Sequence, residues 1–169
     1  MEDRLELSAS AATARMWDCH AHLLAGELAQ NWHTHLAEAA AAGVSNIVCV
    51  PETVEESIRL RDFDFSSSEY ALQVHKCMGI HPVQAAIEQI APLADLLRSC
   101  GKTAIGVGEC GLDFSPHVLA PPGSDPARSE ETKSVQRAVF DAQVTSHALR
   151  CAFFNVAFRL ISLANLVFL

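Results

Sequence analysis

The chain has 169 residues, 50% of them hydrophobic and 19% charged, with a formal net charge of −8. That length and apolar content suit one globular domain with its own core and exclude a disordered or collagen-like chain. The acidity excludes a general attraction to nucleic acid, so any contact with DNA has to be local or metal-mediated.

Residues 1–13 read as a loose lead, after which short apolar runs alternate with helical stretches. A strand is expected over 15–22. A helix is expected over 27–42, with Leu28, Trp32 and Leu36 four apart on one face and Gly43 as its stop. A second strand is expected over 46–50, ended by Pro51, and a helix over 53–61. The third strand, 74–80, closes at His81-Pro82 and leads to a helix over 84–100 that stops at Gly101. The fourth strand is expected over 103–109, and 112–128 reads as a Pro/Gly-rich loop. Asp125 suits a helix N-cap with Pro126 at the first helical position, and the following helix sets Val135, Val139, Ala142 and Leu149 near one stripe. A fifth strand is expected over 152–157. Such alternation argues for α/β architecture with parallel βαβ units. Five units fall short of a closed eight-fold barrel, which takes about 250 residues, so periodicity leaves an open α/β sheet or the first part of a barrel.

The six cysteines, Cys19, Cys49, Cys77, Cys100, Cys110 and Cys151, lie in apolar stretches and form no Cys-x-x-Cys pair. They read as buried thiols in a reducing compartment rather than a disulfide framework. Met1-Glu2-Asp3-Arg4 lacks the cationic, apolar start of a signal peptide, so the expected location is cytoplasmic, with the nucleus open.

Three strings carry chemistry. In Asp18-Cys19-His20-Ala21-His22 the histidines are two apart, and on a strand such residues point to one face, so His20 and His22 can converge on one cation. The same pair also reads as ordinary polar residues at a strand end. His33 and His35 are a control: two apart on a predicted helix they diverge by about 200° and read as surface or half-buried side chains. Gly108-Glu109-Cys110-Gly111-Leu112-Asp113 puts the Glu109 carboxylate at the C-terminal mouth of the fourth strand, where α/β barrels carry their active groups. Gly79-Ile80-His81-Pro82 sets another histidine at the mouth of the third strand. Two histidines and a carboxylate make a divalent-metal set with open positions, suited to Zn, Mg or Mn, although Glu109 alone would equally serve as a helix cap or a partner for a lysine.

The order DCHAHL, GIHP, AIGVGECGLDFSP resembles the TatD family of metal-dependent deoxyribonucleases over roughly residues 14–150. The resemblance implies a partial (β/α)8 TIM barrel of the amidohydrolase type. It implies that His20 and His22 ligate a first metal, that Glu109 bridges to a second, and that His81 lines the pocket near the phosphate. Glu109 and His81 are then the catalytic residues, and Asp113 supports the substrate loop or stands behind the ligands. The implied reaction is hydrolysis of DNA phosphodiester bonds by metal-activated water, without a membrane partner.

The family pattern is incomplete. Ala157 falls where a metal-binding histidine follows the fifth strand, and a later histidine and a late aspartate have no counterpart. Residues 151–169 form an apolar tail that departs from the family; Asn155, Arg159 and Asn165 argue against its crossing a membrane. The expectation is a truncated or alternatively terminated product with impaired catalysis, or a non-enzymatic remnant. A related barrel hydrolase with a substrate other than nucleic acid is the other reading.

Overall fold

The computed structural model describes residues 16–65, 70, 72–121, 123 and 125–154. Four strands, β1 (Met16–Ala21), β2 (Val44–Cys49), β3 (Gln73–Met78) and β4 (Ala104–Val107), form one parallel sheet in the order β1-β2-β3-β4. The helices between them are α1 (Trp32–Ala41), α2 (Val54–Asp62) and α3 (Ile90–Ser99); α4 (Pro116–Leu119) and the long α5 (Pro126–Phe154) follow β4. Sequential strand order with a helix after each strand is the arc of a (β/α) barrel and not a doubly wound sheet, whose order reverses at a switch point.

Burial is deepest in the C-terminal halves of β2 and β3, while Met16 and Trp17 at the start of β1 are exposed. Along β2, Ile47 and Cys49 pack with Leu36, Leu60 and Leu72 beneath α1 and α2, whereas Val48 and Val50 join Cys77 in a separate cluster. Under β3 and β4, Met78, Ile80 and Ala104 meet Leu93, Leu96 and Leu97 of α3 and Val139 of α5. Burial pushes the Cys49 thiol up to about 11 and the Cys77 thiol to about 12, so both stay protonated packing groups.

Several expected elements change. The helix expected over 27–42 divides: a 3-10 turn, Leu28–Gln30, precedes Asn31, whose backbone leaves the helical region (φ −125°, ψ 23°), and α1 restarts at Trp32. Trp32 then meets Phe63 and Phe65 edge-on at 5.2 and 5.4 Å, leaving Leu36 buried and Leu28 exposed. The helix expected over 84–100 contracts to Ile90–Ser99 after two 3-10 turns. Pro92 gives the reason: it would clash in the middle of the longer helix, but in the first turn its missing N–H costs nothing. The expected loop 112–128 contains α4. The strand expected at 152–157 is absent over 152–154, where α5 continues; residues 155–169, with Ala157 and the rest of the tail, and the lead 1–13 lie outside the described residues. Among the described residues no helix is long and apolar enough to cross a membrane.

Candidate metal centre

The C-terminal ends of β1, β3 and β4 bring the motifs together. His20 is in β1 and His22 just past it; Asp18 Oδ1 accepts from the His20 backbone N–H where the β1–β2 register shifts. Their Nε2 atoms lie 3.1 Å apart. Glu109 follows Gly108 at the end of β4, and its Oε2 is 3.2 Å from His20 Nε2 and 3.6 Å from His22 Nε2. Three electron-rich atoms at this range repel one another unless a proton or cation lies between them. Ligands at 2.0–2.1 Å around a tetrahedral ion stand about 3.3 Å apart, which these separations match. The donor set, two imidazoles and a carboxylate, therefore fits a divalent cation. His22 Nδ1 departs from the usual pattern: among the described residues it is buried without the partner that ordinarily orients a ligating imidazole.

His81 lies on the other side of the carboxylate, its Nε2 3.6 Å from Glu109 Oε1. Its Nδ1 accepts from the Val83 N–H, which puts the proton of the neutral ring on Nε2. The four side chains, His20, His22, His81 and Glu109, are between 23% and 29% exposed, open enough to meet a ligand.

Backbone contacts set these positions. The loop after β2 accepts from two site residues: the His81 N–H donates to Glu52 O at 2.8 Å and the Glu109 N–H to Pro51 O at 3.4 Å. Gly79 lets β3 and β4 close up, because a Cβ there would stand 2.5 Å from both the carbonyl carbon and the oxygen of Gly108. Burial first, and the Glu109 charge second, raise the Cys110 thiol and keep it from competing as a thiolate ligand.

Asp113 does not join the ligand group. Its Oδ1 accepts from the Ser115 N–H ahead of α4, and the Ser115 hydroxyl, with that N–H, holds its carboxyl below the usual range. His33 and His35 are on the surface of α1, where His35 Nδ1 approaches Glu38 at 3.5 Å.

Residue spacing missed the buried polar groups behind the site. Ser57 of α2 both donates to Gly79 O and accepts from Gly79 N–H, each at 3.1 Å. Gln143 of α5 accepts from Ile80 N–H at 2.8 Å and donates to Ile80 O at 3.2 Å. Gln136 grips Asp113 in the same way, at 2.7 and 2.9 Å. The only sequence signal was that glutamines fall on the apolar side of the helix, beside Val139.

A family model described as TatD related DNase matches residues 17–151. The chain is 28% identical to the deoxyribonuclease TATDN3 of Homo sapiens over 143 residues, 79% of this chain and 48% of the relative. It is 28% identical over 126 residues to the 3'-5' ssDNA/RNA exonuclease TatD of Yersinia pseudotuberculosis, 73% of this chain and 45% of that one. The crystal structure of YJJV, a TatD homologue from Escherichia coli, superposes with a TM-score of 0.58 at 24% identity, covering 79% of this chain and 47% of that chain, which supports the barrel arc. The chain spans less than half the length of the curated relatives it matches. With its three motifs gathered at one mouth and the family model covering most of its length, the chain belongs to the TatD-related DNase family.

Proposed function

We propose that His20, His22 and Glu109 hold a divalent cation and that the chain serves hydrolysis of DNA phosphodiester bonds. The observation that carries this reading is the convergence of Glu109 Oε2 on both imidazole Nε2 atoms at 3.2 and 3.6 Å. The names of the relatives, deoxyribonuclease and ssDNA/RNA exonuclease, supply the substrate class. A bound cation supplies Lewis acidity and the positive charge that an acidic protein otherwise lacks toward a phosphate. The residues of the chain do the rest. Glu109 divides its carboxylate: Oε2 faces the histidine pair and would help hold the cation, and Oε1 turns to His81. His81, with Nδ1 occupied by the Val83 N–H, presents Nε2–H as a donor to a non-bridging phosphate oxygen. The closely packed backbones around Gly79 and Gly108 keep these groups from drifting apart.

Nicking of supercoiled plasmid by the purified chain in Mg²⁺ or Mn²⁺ tests the reading. The expected result is metal-dependent nicking that falls by about 100-fold or more in Glu109→Ala, as when a group supporting transition-state charge is lost. Cleavage that survives Glu109→Ala overturns the site.

A further inference from the structure

Ser57, Gln136 and Gln143 are buried polar side chains, each at most 1% exposed, and all three hold backbone at the mouth of the sheet rather than one another. The last interstrand bond at the end of β3 runs from Gly108 N–H to Met78 O. Beyond it, three consecutive residues are held from three segments. Ser57 of α2 takes both peptide groups of Gly79, Gln143 of α5 takes both of Ile80, and Glu52 O takes the N–H of His81. The segment that carries His81 thus continues, through two side chains and a loop carbonyl, the hydrogen bonding that the sheet no longer supplies.

We infer that Gln143 is a positioning residue for His81: through Ile80 it fixes where His81 presents Nε2 beside Glu109, and so sets how the site receives a phosphate. The chemistry of the side chain supports this. A primary amide can donate and accept in one plane, which the N–H and C=O of a single residue require. A position with only a packing role would be met by leucine or methionine without the desolvation of an amide. Gln136 stands seven residues earlier, two helical turns along the same face, and holds Asp113 by the same paired contact. One helix therefore indexes two loops of the site from more than twenty residues away in sequence. The metal ligands are held differently: His20 and His22 belong to the β1 end, and Glu109 is tied to Pro51 and packed against Gly79. Loss of the Gln143 contacts should accordingly separate phosphate binding from metal binding. The inference rests on the proposed role of His81 toward phosphate.

The test uses the full chain, Mn²⁺ and inorganic phosphate, with binding measured by calorimetry and the histidine rings followed by ¹⁵N NMR in the metal-free protein. In Gln143→Met, which preserves the shape of the side chain, the Mn²⁺ Kd should stay within about twofold. The phosphate Kd in saturating Mn²⁺ should rise roughly tenfold, the loss expected for one hydrogen bond to a charged group. The His81 ring resonances should move and those of His20 and His22 stay. Gln143→Glu keeps an oxygen to accept from Ile80 N–H and should show a smaller loss; it carries the test if the methionine variant does not fold. Unchanged phosphate affinity and His81 resonances in a folded variant overturn the inference, as does a parallel shift of all three histidines with loss of Mn²⁺. A wild-type chain that binds no Mn²⁺, or no phosphate once loaded, overturns the proposed function itself, so the two failures are told apart.

Discussion

Gly79 illustrates how a residue without a side chain controls a site built from four. The space its Cβ would need is held by the backbone of Gly108 and Glu109, which cannot rotate aside as a long side chain could. Gly79→Ala should therefore destabilise the fold by about 1–3 kcal/mol, the usual cost of overpacking, and weaken metal binding because Glu109 is what gets displaced. Urea unfolding and Mn²⁺ titration of the variant check both effects; wild-type stability and affinity would show that the two strand ends have room to part. At this scale the candidate ligands were legible in the sequence. His20, His22 and Glu109 are chemically conspicuous, and period-two geometry told the convergent His-x-His from the divergent one at His33 and His35. Ser57, Gln136 and Gln143 were not legible, because a polar residue on a helix reads as solvent-facing until the fold aims it at a backbone.

Elements place these residues, and their ends matter most. Thr53 caps α2: its Oγ1 accepts from Glu56 N–H, and Glu56 Oε2 reaches back to accept from Glu52 N–H, while Glu55 and Glu56 suit the positive end of the helix. The same stretch lends Pro51 O to Glu109, Glu52 O to His81 and Ser57 to Gly79. Thr53→Ala should cost about 1 kcal/mol, read as a lower urea midpoint at unchanged m-value, with metal affinity nearly retained because the peptide carbonyls remain. Strand positions were recovered to within about two residues because the apolar runs are short and bounded by Gly and Pro. Two helices were overextended because apolar spacing does not register where the backbone leaves helical φ and ψ. Asn31 and Pro92 mark those breaks; Pro92 was readable in principle, whereas Asn31 takes its meaning from Trp32 packing edge-on against the Phe63–Phe65 pair. The fifth strand was misread over 152–154 because a short apolar run suits a buried strand and a buried helix equally.

For the whole molecule, the proposed metal centre ties β1 to β4, the two outer strands of the described sheet, through side chains alone. A cation bound there should stabilise the native state by about 2.7 kcal/mol at 100 times its Kd. For a chain of this size that is a rise in Tm of about 5–10 °C. Thermal scans with and without Mn²⁺ should give this rise in the wild type and lose it in Glu109→Gln; an equal rise in both would locate binding elsewhere.

By itself the sequence determined the alternation of strands and helices, the order of the motifs and the identity of the candidate ligands. These follow from local rules: the periodicity of side chains along a strand or helix, the stops imposed by Gly and Pro, and the chemistry of His and Glu. The tertiary structure decided that the strands lie in sequential order, that Glu109 turns one oxygen to His20 and His22 and the other to His81, and that α5 reaches back to Ile80 and Asp113. Those are relations between residues tens of positions apart. They exist only once packing of the strands against the helices has drawn the strand ends to one side and left their last peptide groups to find partners in the helices.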